Sequence, residues 1–107
     1  MAKAQDVLFR TLADPTRRAI FERLCRDGEQ TVGALTAQAG ISQPAVSKHL
    51  GLLKRAGLVR NRHHGRQTHY RAQIESLNLL VDWTTQMTGF WRKRFDDLEG
   101  LLNRMDQ

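Results

Sequence analysis

The sequence predicts a mainly helical fold with one small β-hairpin. Apolar residues recur at helical spacing along most of the chain, and capping and stopping residues separate the helices. The period changes between Leu58 and Arg71, where two short strands flank a glycine. A chain of 107 residues has room for one domain, so we expect residues 1–107 to form a single domain.

Five helices are expected, and most of their ends carry a recognisable signal. Asp14, Thr31 and Ser42 each precede a helix, and their side chains can accept a hydrogen bond from its first turn. Gly40 and Gly57 follow helices, because glycine adopts the left-handed conformation at a helix end without steric cost. We place the helices at about residues 4–13, 15–26, 32–39, 43–56 and 75–104, and the strands at 58–63 and 67–71.

The positive charge is concentrated in one interval of the chain. The formal net charge is +6, and no acidic residue lies between Glu29 and Glu75. That interval holds all four histidines and seven Lys or Arg residues, which are Lys48, Lys54, Arg55, Arg60, Arg62, Arg66 and Arg71. Because these seven account for +7, the rest of the chain carries −1. A local positive field of this kind fits a nucleic acid, an acidic membrane face or an acidic partner.

Two short helices joined by residues 39–42 form the central motif. Val46 and Leu50 lie one turn apart on the second helix and can pack against Leu35 of the first. The outer face of the second helix then presents a set of small or polar side chains, Gln43, Pro44, Ser47 and Lys48. Such groups near a helix N-terminus hydrogen-bond base edges in the major groove of duplex DNA, so the motif predicts a helix-turn-helix.

Several segments together resemble the ArsR family of bacterial repressors. They are Ala13–Arg18, Ile41–Leu50, Leu53–Val59 and the stretch 65–71, and the resemblance covers about residues 5–71 in the family's order and spacing. It implies a winged helix-turn-helix with five helices plus a wing. It also implies a homodimer that binds a palindromic operator and represses transcription by occluding the promoter.

The resemblance and the residues agree on which side chains contact DNA. The recognition helix supplies Ser42, Gln43, Pro44, Ser47 and Lys48, and the wing supplies Arg62, His64, Arg66 and Thr68. Gln43 and Ser47 are expected to read base edges, and Lys48 to contact a phosphate or a guanine. His49 and Tyr70 are expected to be packed residues.

The length of the last helix and its apolar residues predict a homodimer. Roughly 30 residues at about 1.5 Å each would span some 45 Å, whereas a domain of this size has a radius of gyration near 13 Å. A second copy related by a two-fold axis is the simplest cover, together with the first helix. The interface candidates are Val7, Leu8, Trp83, Phe90, Trp91 and Leu98. Gly89 is a point at which this helix could bend or break, since glycine costs about 1 kcal/mol against alanine.

No metal or cofactor is expected. Many ArsR proteins bind a metal through Cys-x-Cys on the third helix or an Asp/His set on the last one. This sequence has no thiol in residues 32–39 and no histidine in residues 75–104. We expect the single cysteine, Cys25, to be buried and inert rather than redox-active. An organic effector near Trp83 and Trp91, or no effector at all, are the alternatives for a signal.

Neither a membrane segment nor a secretory signal is expected. No apolar run approaches the roughly 18 residues of a membrane helix. Residues 1–6 have no apolar block behind their charge, as a signal peptide would. One cysteine fits a reducing compartment, so we expect a cytoplasmic bacterial protein that associates with the nucleoid when bound.

Three other classes of protein are alternatives to a DNA-binding regulator. An RNA-binding or architectural winged helix would carry the basic interval but has no use for base-edge groups such as Gln43 and Ser47. A protein-interaction module would use the aromatic last helix but not the acid-free interval. An enzyme is disfavoured, because no phosphate loop or paired carboxylates are present, and Ser47 and His49 point away from each other on a helix.

Overall fold

The computed structural model describes residues 3–106, which form five α-helices and one antiparallel sheet, so the predicted mainly helical fold class is confirmed. The helices are α1 (Ala4–Ala13), α2 (Pro15–Asp27), α3 (Val32–Ala39), α4 (Gln43–Arg55) and α5 (Asn78–Met105). The strands are β1 (Gln30–Thr31), β2 (Val59–His64) and β3 (Gln67–Ala72), and a 3₁₀ turn at Ile74–Leu77 precedes α5.

The predicted caps set the helix starts. The Asp14 carboxylate accepts a hydrogen bond from the backbone N–H of Arg17 at 2.8 Å, and the Thr31 hydroxyl accepts one from Ala34 at 3.0 Å. Each bond satisfies an N–H that the helix itself leaves without a partner. Gly40 ends α3 at φ 70°, in the left-handed region where only glycine pays no steric cost. The turn between α3 and α4 is therefore defined by local chemistry at both of its ends.

The sheet has the strand order β1-β3-β2. The wing hairpin, β2 and β3 with their turn, pairs Val59 with Ala72 at its base and His64 with Gln67 at its tip. Gly65 occupies the turn at φ 64°. The sequence predicted this hairpin but not β1, because a strand of two residues carries no alternation to detect.

The chain divides between Leu77 and Asn78 into two compact units. The first unit holds an apolar core formed by Leu8, Ile20, Phe21, Leu24, Leu35, Val46, Leu50, Leu53, Leu58 and Val59. Leu35 of α3 is 1% exposed, and Val46 and Leu50 of α4 are 0% exposed. Burying a side chain of this size contributes about 1.5–3 kcal/mol, so this packing is a main source of stability for the helix-turn-helix.

The second unit is α5. It begins three residues later than expected, because residues 74–77 form a 3₁₀ turn in which the Ser76 hydroxyl donates to the carbonyl of Gln73 at 2.6 Å. The helix runs through Gly89 without interruption, so the break considered at that residue does not occur. None of its residues is buried, and its apolar side chains are largely exposed.

Within residues 3–106, no helix combines the length and the apolar character needed to cross a membrane.

Replacing Leu50 by alanine tests the core. The side chain is wholly buried between α4 and its neighbours, so Leu50→Ala should lower the free energy of unfolding by about 2–5 kcal/mol. Urea denaturation followed by circular dichroism measures this change. Lys54→Ala, on the exposed side of the same helix, is the control and should change stability by no more than about 0.5 kcal/mol. Equal effects of the two variants would contradict the assignment of Leu50 to the core.

Candidate nucleic-acid interface

The N-terminal half of α4 presents a polar face to solvent. Ser42 caps the helix, and its hydroxyl accepts a hydrogen bond from the N–H of Ala45 at 3.3 Å. All five residues predicted for the recognition helix are exposed, namely Ser42, Gln43, Pro44, Ser47 and Lys48. Val46, which lies between them, is fully buried. The helix therefore divides cleanly into a face that packs and a face that is free to contact a ligand.

The wing hairpin has two different faces, because side chains alternate along a strand. One face carries Asn61, His63, Thr68 and Tyr70, and the other carries Arg60, Arg62, His64, Gln67, His69 and Arg71. On the first face, the Thr68 hydroxyl and Nδ1 of His63 are 3.1 Å apart. On the second face, the rings of His64 and His69 meet edge to face at 6.2 Å.

A groove of about 390 Å³ lies between the start of α4 and the wing hairpin. Gln43 and Ser47 line it from the helix, and Arg66 and Thr68 line it from the wing. Thr31, Val32, Gly33, Gln67 and Tyr70 complete its wall. Residues predicted separately from the recognition helix and from the wing therefore meet in one place.

One cationic side chain lines the groove and another follows Ser47 along α4, and among residues 3–106 no acidic residue neutralises either. Arg66 lies in the hairpin turn, and Lys48 lies on the exposed side of α4. Neither side chain has a hydrogen-bond or ion-pair partner in the part of the chain that the structure describes. Unpaired cations beside amide and hydroxyl groups are the combination with which proteins hold a phosphate backbone while reading bases.

Arg62 does not line this groove, although it was predicted to contact DNA from the wing. Its Nε and Nη2 donate to the two carboxylate oxygens of Glu29 at 2.9 and 2.8 Å. In the sequence, Arg62 belongs to the interval that contains no acidic residue. In the folded protein, its side chain pairs with Glu29, the acidic residue at the start of that interval. His64 shares the face of Arg62 and does not line the groove either.

Electrostatics around Glu29 reflect this pairing. The hydrogen bonds from Arg62 lower the pKa of the Glu29 carboxyl below its ordinary value, and the nearby His69 and Arg71 act in the same direction. The same pairing raises the pKa of Arg62. The second acceptor oxygen of Glu29 lies 3.9 Å from Nδ1 of His69. Glu29 is the participant that sequence reasoning missed, because nothing in the local pattern points to a residue 33 positions away.

Two residues expected to be packed are only partly so. His49 is half-buried, and its Nδ1 is buried with no hydrogen-bond partner among residues 3–106. Tyr70 is also half-buried, and it lines the groove instead of filling the core.

Cys25 is exposed, so the expectation of a buried thiol was wrong. The apolar face of α2 includes Leu24, and the next residue along a helix points about 100° away from it. Partial desolvation raises the pKa of the thiol, and the charge of Glu22 raises it further. Since the thiolate is the reactive form, a raised pKa disfavours reaction of this thiol.

The predicted dimer residues differ in how much of each side chain is exposed. Leu8 is 2% exposed within the chain itself, so it has no surface to offer a second copy and its assignment to the interface is corrected. Val7 is half-buried. The α5 candidates are Trp83, Phe90, Trp91 and Leu98, which are 40%, 59%, 70% and 53% exposed.

The described residues contain no group of three or more His, Cys, Asp or Glu side chains arranged to hold a metal ion.

A helix-turn-helix packed on an apolar core, with an exposed polar recognition face and a basic wing beside it, defines a winged helix DNA-binding protein. Residues 12–62 match the family model described as a helix-turn-helix domain. The chain is 41% identical over 93 residues to the HTH-type transcriptional regulator Rv2034 of Mycobacterium tuberculosis, an alignment that covers 82% of this chain and 86% of that protein. It is 32% identical over 91 residues to the transcriptional repressor SdpR of Bacillus subtilis, covering 85% and 97% of the two chains.

Solved structures agree with these relatives. The ArsR-like transcriptional regulator from Rhodococcus sp. RHA1 superposes with a TM-score of 0.78 at 28% identity, over 92% of each chain. The transcriptional repressor BigR from Xylella fastidiosa superposes with a TM-score of 0.61 at 34% identity, over 75% of this chain and 82% of that one. The chain belongs to the ArsR family of transcriptional regulators; it is a DNA-binding regulator and not an enzyme.

The Glu29–Arg62 pair makes a prediction about pH. In the Arg62→Gln variant, the pKa of Glu29 should rise toward its ordinary value, because its largest stabilising hydrogen bond is gone. Since the folded pKa lies below the ordinary one, the pair contributes stability that is complete above the ordinary pKa and is lost as the pH falls through the folded value. Carbon-detected NMR titration of the carboxyl measures the shift. Arg60→Gln, on the same strand and face, is the control and should change the pKa much less; an unchanged value in Arg62→Gln would contradict the pairing.

Proposed function

We propose that this protein is a repressor that binds a palindromic operator as a homodimer and occludes the promoter. The observation that carries the proposal is the groove in which Gln43 and Ser47 of α4 face Arg66 and Thr68 of the wing hairpin. A winged helix that binds DNA uses two such surfaces together, one in the major groove and one on the adjacent backbone.

The start of α4 is suited to reading base edges. The Gln43 amide has both a donor and an acceptor and can bond an adenine edge in two places, and Ser47 can donate or accept one turn further on. Both side chains are exposed and stand on a helix whose opposite face is fully buried, so they are presented on a rigid support. Pro44 offers an apolar contact to a thymine methyl group. Ser42 stands where the helix N-terminus favours a phosphate.

The cationic residues are suited to the phosphate backbone. Lys48 on α4 and Arg66 at the tip of the wing hairpin are exposed and lack an acidic partner among the described residues. Each cation that neutralises a phosphate releases a counterion, so binding through them weakens as salt is added. Thr68, next to the tip, can donate a hydrogen bond to a phosphate oxygen. In this proposal the helix supplies specificity, and the wing supplies much of the affinity.

The exposed face of α5 supports the homodimer. The helix has 28 residues, none of which is buried, and at about 1.5 Å per residue it is about 42 Å long. Its exposed apolar side chains include Leu79, Trp83, Met87, Phe90, Trp91, Phe95, Leu98, Leu101, Leu102 and Met105. An apolar surface of this extent is rare on a monomer. A second copy offers the same surface through a two-fold axis. Val7 of α1 stays a separate interface candidate.

Two-fold symmetry connects the dimer to the operator. Two recognition helices related by the axis would reach successive major grooves about 34 Å apart, so the half-sites would be inverted repeats one turn apart. Relatives that are named as repressors support repression, among them SdpR of Bacillus subtilis and the arsenical resistance operon repressor of Escherichia coli, which is 44% identical over 64 residues. A dimer covering more than one turn of a promoter would exclude other proteins from it.

Selection of bound sequences from random duplexes tests the proposal as a whole. We expect an inverted repeat whose half-sites are centred about one helical turn apart. Recovery of a single direct site, or of no common sequence, would contradict the palindromic operator. Tighter binding of RNA than of duplex DNA in a parallel titration would point to the RNA-binding alternative.

Substitutions separate the two contact surfaces. Gln43→Ala or Ser47→Ala should reduce discrimination between bases by about 1–3 kcal/mol for each lost contact. Gln38→Ala, an exposed amide on α3, is the matched control and should leave discrimination unchanged. Fluorescence anisotropy with wild-type and substituted half-sites measures these differences. If Gln43→Ala weakened binding to every sequence equally, α4 would not be the helix that reads the bases.

The wing substitution should show a different signature. Arg66→Ala should weaken binding to all sequences and reduce the slope of log affinity against log salt by about one unit, because one phosphate contact is lost. Arg26→Ala is the control, because Arg26 lies on α2 and does not line the groove. Its Nε is 3.7 Å from Oδ1 of Asp27. An unchanged salt slope in Arg66→Ala would remove Arg66 from the phosphate contacts.

Trp91 and Leu98 test the dimer. Replacing both by alanine should destabilise the dimer by roughly 2 kcal/mol or more, because aromatic anchors such as Trp91 dominate interface energetics and Leu98 adds buried apolar area. Sedimentation equilibrium measures the dissociation constant, and Arg92→Ala on the same helix is the control. A wild-type chain that sediments as a monomer at micromolar concentration would rule the dimer out.

A further inference from the structure

The pair formed by Glu29 and Arg62 joins two parts of the first unit that are far apart in sequence. The contact is bidentate, with Nε to Oε1 at 2.9 Å and Nη2 to Oε2 at 2.8 Å. The Arg62 side chain is 57% exposed and that of Glu29 is 30% exposed. Two parallel charge-assisted hydrogen bonds fix orientation as well as distance, which a single ion pair does not.

The position of this pair in the sheet allows it to restrain the wing hairpin. Glu29 lies in the connection between α2 and β1, directly before β1, which leads without a gap into α3. Arg62 lies in β2, which among residues 3–106 pairs with β3 alone and is the strand farthest from β1. The pair therefore spans the sheet from one edge strand to the other.

Beyond the pairing of its own two strands, the wing hairpin packs against helices, β3 against α2 and α3 and β2 against α4. A two-stranded hairpin is marginally stable by itself, and β1 adds only the pairings of Gln30 with Tyr70 and of Thr31 with His69. Both of those pairings hold β3. At its base β2 is held by the buried Val59 and by its packing against α4; further along the strand, Arg62 reaches back to Glu29 in the connection between α2 and β1.

The same geometry withdraws Arg62 from DNA. Its side chain is on the face of the wing hairpin opposite to Thr68 and Tyr70, which line the groove with Gln43 and Ser47. A phosphate would have to displace a bidentate carboxylate and would then lie next to the negative charge of Glu29. The cation that the sequence assigns to backbone contact is therefore engaged within the protein.

We propose that Glu29 and Arg62 are positioning residues for DNA binding: their pair holds the wing hairpin at the angle that places Arg66 and Thr68 opposite Gln43 and Ser47, and Arg62 makes no phosphate contact. This inference rests on the proposed function for its readout in DNA affinity. Its structural part, the restraint on the wing hairpin, can be measured without DNA.

The sign of the effect of Glu29→Gln is the decisive measurement. Removing a negative charge from a DNA-binding surface strengthens binding if charge alone matters. The positioning role predicts the reverse, a loss of affinity of about two- to fivefold, the range expected for a partly exposed ion pair. Arg62→Gln should cause a similar loss with the salt slope unchanged, because no phosphate contact disappears. Anisotropy titrations of the full chain with one duplex at several salt concentrations provide both numbers.

A charge exchange and a matched control complete the test. The double variant Glu29→Arg with Arg62→Glu restores an ion pair of the opposite orientation and should recover most of the lost affinity. Arg60→Gln removes the same charge from the same strand and face, where the described residues offer it no partner, and should change affinity little. Tighter binding by Glu29→Gln, a salt slope lowered by about one unit in Arg62→Gln, or no recovery in the exchange would each overturn the proposal.

Hydrogen exchange distinguishes a failure of this inference from a failure of the proposed function. Without DNA, Glu29→Gln and Arg62→Gln should speed amide exchange in β2 and β3 and leave exchange in α2 and α4 unchanged. If the wild-type chain bound no operator and the exchange pattern appeared, the DNA-binding proposal would fail while the restraint stood. Unchanged exchange in the wing hairpin of both variants would overturn the restraint itself.

Discussion

The apolar contact between α3 and α4 is the constraint on which the rest of the structure depends. Val46 and Leu50 are fully buried, and Leu35 of α3 is nearly so, which leaves α4 one rotational setting about its axis. Because residues three and four apart share a face, this setting determines that Gln43 and Ser47 point outward. The caps at Thr31 and Ser42 and the left-handed Gly40 then set where α3 and α4 begin and turn. Recognition chemistry is thus a consequence of core packing.

The wing hairpin is positioned in a different way from α4, because few of its residues are buried. Its position depends on the buried base at Val59, on the short β1–β3 pairing and on polar contacts made from its outer face. Electrostatic contacts at an exposed site are individually weak, but they are directional when they are bidentate. The proposed division of roles, with base reading on a packed helix and backbone contact on the hairpin, would allow the second to change without disturbing the first.

Charge in the sequence and charge in space are different quantities. The interval between Glu29 and Glu75 contains no acid, and its composition indicates a uniform basic surface. Folding divides it, because Arg62 is paired to Glu29 while Lys48 and Arg66 have no side-chain partner among residues 3–106. The cations available to a phosphate are therefore fewer than the sequence suggests, and their location along the groove matters more than their number.

The sequence by itself determined the helices, their caps, the wing hairpin and the outward face of α4, because these depend on residues within a few positions of one another. The exposed Cys25 and the buried Leu8 were misjudged, since periodicity places a residue on a face but not at a depth. Only the tertiary structure decided that helix and wing line one groove and that Arg62 pairs with Glu29. Both involve residues brought together across many positions of chain, and no local pattern encodes which distant residues become neighbours.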